Sequence, residues 1–247
     1  MKSIIVKILN FFFKIIRKIK LIINYNISLR PKKILPSHSL DVYDLYCNEE
    51  RQKCFNEFKR YFQTSTFIKT KDIKKYAIKK SQKLNSDKNL FFLEFGVWKG
   101  DSINILADFC DKIYGFDSFI GLKDDWHGFS GVSEESFNLQ KKLPKVKDNV
   151  ELITGWIEDN LEKFLDEKKP NINFVNIDVD TYATTKFILE KIKPHLVKNS
   201  VIIFDELYNY PGWGVGEYKA LKEVFNEKDF KFLAFSPDGE QAVIQIL

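Results

Sequence analysis

Acidic residues recur at the ends of short apolar runs in the second half of this chain. Glu94 follows Leu90–Leu93, and Asp117 follows Tyr114-Gly115-Phe116. Asp178 and Asp180 follow Ile172–Ile177, and Asp205 and Glu206 follow Val201–Phe204. Carboxylates gathered in one place repel one another and do nothing for folding, so such a set makes sense where it meets hydrogen-bond donors or cations. Gly96 and Gly100 come directly after Glu94. Glycines there let the backbone turn tightly and approach a ligand with no Cβ in the way. The G-x-x-x-G spacing is not the dinucleotide fingerprint G-x-G-x-x-G.

These residues need a scaffold that brings strand ends together. Near-continuous apolar runs read as buried parallel strands: 90–95, 112–116, 150–154, 172–177 and 201–204. Helical patterns alternate with them at 102–110, 133–143, 158–167, 183–192 and 216–226. Alternating β and α implies a doubly wound, mostly parallel α/β sheet. The segments 230–235 and 241–247, split by Ser236-Pro237-Asp238-Gly239, read as a closing antiparallel hairpin. Two helices precede the sheet, one capped by Ser39 and running to Tyr61, the other opening after a Thr70 cap and covering Lys71–Leu84. The lysines of the second helix (71, 74, 75, 79, 80, 83) read as a solvated face. The chain divides into a basic arm and linker (1–38), a helical cap (39–89) and a sheet domain (90–247).

In such a sheet, ligands bind beyond the carboxyl ends of the strands, so the acids should ring one cleft. Asp117 stands some twenty residues after the glycine loop, where an acid accepts the hydroxyls of a bound ribose. Glu94 is placed to meet a ligand's amino-acid end or the loop backbone. Trp156, after the third strand, could flank an adenine ring or belong to the core. Asp178 and Asp180 point the same way if the chain stays extended there. With Asp205 and Glu206 they offer hard oxygen ligands suited to Mg²⁺, the alternative being a polar pocket without metal. His127 is the histidine nearest this cleft and a candidate general base. Trp126, Tyr208, Tyr210 and Trp213 could stack on a sugar face.

The segment Leu93-Glu94-Phe95-Gly96-Val97-Trp98-Lys99-Gly100-Asp101-Ser102 resembles motif I of class I S-adenosylmethionine-dependent methyltransferases. Tyr114–Leu122 with Asp125-Trp126 is similar to the second motif of the macrocin O-methyltransferase type. Asn176–Tyr182 and Phe204-Asp205-Glu206 resemble that family's metal-binding acids, with Val179 where glycine is common and Glu206 where a second aspartate is common. The resemblance covers about Leu90–Leu247. It implies a Rossmann-like, seven-stranded methyltransferase sheet whose last strand is antiparallel, and O-methylation of a sugar hydroxyl in glycan or secondary-metabolite biosynthesis. It implies S-adenosylmethionine held by Glu94, Gly96, Gly100, Ser102, Asp117, Ser118 and Trp156. Asp180, Asp205 and Glu206 would bind a divalent cation, with Asp180 in the catalytic step and His127, on its nearness to the cleft rather than on the resemblance, as the base. Two other readings are an NAD-dependent oxidoreductase and a catalytically silent, membrane-associated scaffold. The missing fingerprint argues against the first, and the presence of both Glu94 and Asp117 against the second.

The net charge of +5 over 247 residues hides an asymmetry. Residues 1–40 hold nine Lys or Arg and no acid, which leaves 30 bases against 34 acids in the rest. A mildly acidic body with a basic arm is not the footprint of a nucleic-acid binder. Met1–Ile23 sets isoleucines and phenylalanines beside a stripe of Lys7, Asn10, Lys14, Arg17 and Lys18. That pattern suits a helix lying in a membrane interface, or one packed on the domain or on a partner subunit of a homo-oligomer. Cys47, Cys54 and Cys110 show no paired spacing and read as reduced thiols of a cytoplasmic protein.

Overall fold

The computed structural model describes residues 42–87, 89–128 and 136–247. The chain divides into two units, residues 1–45 and 46–247. Of the first, only Val42–Leu45 is described, as the opening turn of helix α1 (Val42–Phe62). The basic arm, the linker and the Ser39 cap lie outside the described residues. From Tyr46 on, the segment expected as a separate helical cap shares one unit with the sheet.

After α1 come β1 (Thr66–Phe67), α2 (Thr70–Leu84), β2 (Leu90–Phe95), α3 (Asp101–Leu106), β3 (Ile113–Asp117) and β4 (Val150–Thr154). Then follow α4 (Ile157–Lys168), β5 (Asn171–Ile177), α5 (Tyr182–Ile192), β6 (Leu196–Phe204), α6 (Glu217–Val224), β7 (Phe230–Phe235) and β8 (Ala242–Ile246). The eight strands form one sheet in the order β1-β7-β8-β6-β5-β2-β3-β4. Only β8 runs against its neighbours, wedged between β6 and β7. The sheet has one strand more than the resemblance implies, because β1 pairs parallel with β7 through Thr66↔Ala234 and Phe67↔Phe235.

Strand alternation sorts side chains into two cores. Val175, Ile177, Ile202, Phe204 and Ile244 face α1, α4, α5 and α6, meeting Phe58, Leu161, Ile188 and Leu221. Phe174, Val201, Ile203 and Val243 face α2 and α3, meeting Ile73, Ala77, Ile78, Ile103 and Leu106. The result is a helix–sheet–helix sandwich with both faces of the sheet buried, which is why its strands read as unbroken apolar runs.

Three local expectations are corrected. Thr70 is the first residue of α2 rather than its cap. Its hydroxyl and N–H instead tie the helix start to Asp238, at 3.0 and 2.9 Å. Of the expected helix at 133–143, the described part, 136–143, is not helical but consists of turns with a single bridge from Ile120 to Asn138. Lys74 is not solvated; its side chain is only 18% exposed and reaches the strand ends.

Candidate active site

The register lines up the strand ends that build the site. Phe95 pairs with both Phe116 and Ile177, and Ile177 pairs with Phe204. The residues that follow this level are Gly96, Asp117, Asp178 and Asp205. The backbone continues the alignment past the strands, with Asp178 N–H donating to Phe95 C=O and Asp205 N–H to Ile177 C=O, each at 2.9 Å. A cleft of about 390 Å³ opens above them. Its walls include Gly96, Ser102, Asp117, Ser118, Trp156, Asp178, Asp180, Asp205 and Glu206, so most of the sequence-predicted set converges on one space.

Gly96 cannot be any other residue here. Its φ is +85°, and a Cβ would stand 1.6 Å from the Asp178 carbonyl oxygen. The loop it begins is held by Asp117. One carboxylate oxygen accepts the N–H groups of Val97 at 2.8 Å and Trp98 at 2.7 Å, and the other accepts Phe119 N–H at 2.6 Å. Asp117 therefore lines the cleft where ribose hydroxyls were expected and at the same time organises the loop.

Glu94 and Gly100 are not among the residues lining the cleft. Glu94 lies fully buried beneath it, where it accepts hydrogen bonds from Ser102 Oγ and, at 2.9 Å, from Asn176 Nδ2. Its second oxygen has no hydrogen-bond partner among the described residues. Burial pushes the carboxyl up to about 8, against the pull of the Lys74 charge.

At the other end of the cleft, oxygens of Asp178, Asp205 and Glu206 lie within 4.8 Å of one another. Asp180 is not in this group. Its φ of +62° breaks the extended run, so it does not repeat the direction of Asp178 as expected. Lys74 Nζ sits between two of the three, 3.0 Å from Asp178 Oδ2 and 2.9 Å from Asp205 Oδ1. Burial alone would depress the lysine, but the two aspartates outweigh it and hold the ammonium charged. Burial, and then the charge of Asp205, raises Asp178 to about 6. Asp180 and Glu206 are raised well above the carboxylate range, again chiefly by burial and then by their acidic neighbours. Glu206 N–H donates to the buried Glu217 at 3.0 Å. Glu206 Oε2 has no hydrogen-bond partner among the described residues.

Mg²⁺ is the cation such a donor set suits. Three hard carboxylates and an orphaned oxygen match its chemistry. The ammonium of Lys74 already stands between two of the three.

His127 is exposed and does not line the cleft. Its peptide carbonyl faces the other loop: a Cβ on Gly212 would lie 2.3 Å from it, and one on Gly128 would lie 2.3 Å from Gly212 Cα. The two loops cross backbone to backbone because neither glycine carries a side chain. Of the four aromatics expected to face a sugar, only Trp126 lines the cleft. Tyr208, Tyr210 and Trp213 are buried, and Tyr208 and Trp213 pack against Phe58.

The sequence reading missed Lys74, Asn176 and Glu217. For Lys74 a signal existed: Lys74, Ile78 and Ser81 stand four and seven residues apart on one helical face, and the latter two are buried. Asn176, a polar residue inside an apolar strand, carried a signal of the same kind.

Residues 93–207 match a family described as "Methyltransferase domain". The sequence matches no curated protein. Among solved structures, the crystal structure of CalS11, a calicheamicin methyltransferase, aligns with a TM-score of 0.59 at 22% identity, over 80% of this chain and 85% of that one. The apo structure of CalS11, described as a TDP-rhamnose 3'-O-methyltransferase of calicheamicin biosynthesis, aligns with a TM-score of 0.52 at 22% identity, over 80% and 86%. Those likenesses show the shared fold. Over residues 93–207 the chain carries an S-adenosylmethionine-dependent methyltransferase domain. No finding supports the oxidoreductase or scaffold readings.

Proposed function

We propose that this enzyme transfers the methyl group of S-adenosylmethionine to a hydroxyl of a sugar-containing small molecule or glycan. The observation that carries this reading is one cleft with two chemically distinct ends. One end has the glycine loop, Asp117, Ser118 and Trp156, and suits a nucleoside. The other has buried acids, Lys74 and Trp126, and suits a polar acceptor with an apolar face. The shared fold with CalS11, described as a TDP-rhamnose 3'-O-methyltransferase, supports a sugar.

Transfer is an in-line displacement: the acceptor oxygen forms a C–O bond as the C–S bond of the sulfonium breaks. Alignment of the two reactants supplies about 7–11 kcal/mol in well-oriented systems. The hydroxyl proton must leave, and Asp180 is the residue we assign to take it. It lines the cleft beside the other acids, where a carboxylate can take the proton directly from an acceptor hydroxyl. His127 is less suited, being exposed and off the cleft. The divalent cation that the resemblance implies would lower the hydroxyl's pKa, but among Asp178, Asp205 and Glu206, the acids that cluster here, the Lys74 ammonium already stands between two of the three. Asp180, which the resemblance puts among the ligands, stands outside that group. Glu94, buried beneath the cleft, supports the cofactor end through Ser102, which lines it, rather than by meeting the cofactor itself. We further propose that the arm, Met1–Ile23, rests on an anionic membrane surface. No helix among the described residues is long and apolar enough to cross a membrane.

The test is calorimetry with S-adenosylhomocysteine and NAD, followed by a transfer assay with methyl-labelled S-adenosylmethionine on nucleotide sugars and lipid-linked glycans. We expect S-adenosylhomocysteine alone to bind and the label to appear on a sugar oxygen. Binding of NAD instead, or label only on non-sugar acceptors, would refute the reading.

A further inference from the structure

We propose that Lys74 is this enzyme's built-in cation: its ammonium takes the place of a divalent ion between Asp178 and Asp205, and the chain works without metal. The inference rests on the methyl-transfer reading only in assigning this end of the cleft to the acceptor.

Lys74 Nζ contacts Asp178 Oδ2 at 3.0 Å and Asp205 Oδ1 at 2.9 Å, and both carboxylates are largely withdrawn from water, with side chains 27% and 17% exposed. All three groups are fixed. The aspartates follow paired strand ends whose N–H groups are bonded to the neighbouring strands. Lys74 stands on α2, whose Ile73, Ala77 and Ile78 are fully buried and whose first residue is tied to Asp238. Gln241 Nε2 adds a further donor to Asp205 Oδ1 at 3.3 Å.

Mg²⁺ draws its oxygens in to about 2.0–2.1 Å and binds one or two carboxylates plus waters. An ion between Asp178 and Asp205 would therefore press against the ammonium, cation on cation, in a site that excludes most water. The lysine and the metal are alternatives for one position. An ammonium has three donors. Two are used by the aspartates and, since Lys74 lines the cleft, the third can reach an acceptor hydroxyl oxygen. The lysine thus positions the hydroxyl that a metal would otherwise hold, and the proton still passes to a carboxylate.

The full-length protein and Lys74→Met, which keeps most of the side chain's length but not its charge, are titrated with Mn²⁺ by calorimetry. Thermal unfolding is followed with chelator and with Mn²⁺, and S-adenosylhomocysteine binding is measured alongside. The wild type should show no saturable Mn²⁺ binding up to about 1 mM and a melting temperature indifferent to chelator. Lys74→Met should gain one Mn²⁺ per chain, at least about tenfold tighter than wild type, with a melting temperature raised by the ion. One tightly held ion in the wild type, or equal affinity in both proteins, overturns the proposal. Should Lys74→Met fail to fold, the wild-type titration decides: one tight ion refutes, none upholds. Failure of the wild type to bind S-adenosylhomocysteine would sink the methyltransferase reading and leave the metal result standing.

Discussion

The Asp117 carboxylate accepts the backbone N–H of Trp98 at 2.7 Å, across nineteen residues of sequence. Trp98 has a positive φ of 45°, so the acid holds a strained turn of the glycine loop in shape. Asp117→Ala removes this contact together with those to Val97 and Phe119. Hydrogen bonds to a charged group contribute about 1.5–3 kcal/mol each. We expect Asp117→Ala to lose at least about tenfold in S-adenosylhomocysteine affinity, with a lower urea midpoint, and Asp117→Asn to lose less. Wild-type affinity in Asp117→Ala would separate the loop's shape from cofactor binding.

Glu94 gives the fold a pH dependence of unusual sign. Its carboxyl titrates near 8 in the folded protein, raised by burial from an ordinary value of 4.5. Between those values the native state holds a proton that the unfolded chain has released. The stability from this group is therefore full below about pH 4.5 and is lost as pH rises toward 8. Each unit of separation is worth about 1.4 kcal/mol, so the effect amounts to a few kcal/mol. Glu94→Gln cannot ionise, and its melting temperature should fall less between pH 5 and 8 than that of the wild type. Parallel melting curves would contradict the assignment.

Phe58 is fully buried and meets Tyr208, Trp213, Tyr218, Phe232 and Phe235, with the Tyr218 ring centroid 4.7 Å away. It fastens α1 to the sheet. Phe58→Ala should cost about 3–5 kcal/mol, read as a lower urea midpoint at unchanged slope. A cost under about 1 kcal/mol would mean that the helix adds little to the fold.

The basic arm should bind anionic vesicles. Each Lys or Arg near such a surface contributes about 1 kcal/mol, and salt screens it. Flotation of the full chain with phosphatidylserine liposomes, against a version beginning at Pro36, should show the arm to be required and the effect to fade with salt. Equal behaviour of the two would assign the arm to protein packing.

Long apolar strands were legible in the sequence because both faces of the sheet are covered. Leu90–Phe95 and Phe230–Phe235 have the bounds read from their residues. The glycine loop and the ring of acids were legible because strand-end position follows from strand length alone. What distant parts of the chain decide was not. The segment 136–143 has helical spacing, yet Phe137, Gln140 and Lys141 take positive φ, and Phe137 packs edge-on against Trp98 at 5.4 Å. β1 is two residues long, too short for any period to register. Lys74 looked like one surface lysine among six, and only the fold brings Asp178 and Asp205 to it.

The reversed strand β8 has a consequence for how the molecule is made. β7, and through it β1, joins the sheet only by way of β8. A nascent chain in which Ala242–Ile246 is still inside the ribosome has every residue of the cleft yet presents β6 as a bare, apolar edge. Such an edge is a template for pairing with other chains. Assembly of this enzyme thus passes a vulnerable moment, when β6 has formed but the strand that pairs with it from Val201 to Phe204 has not yet been added.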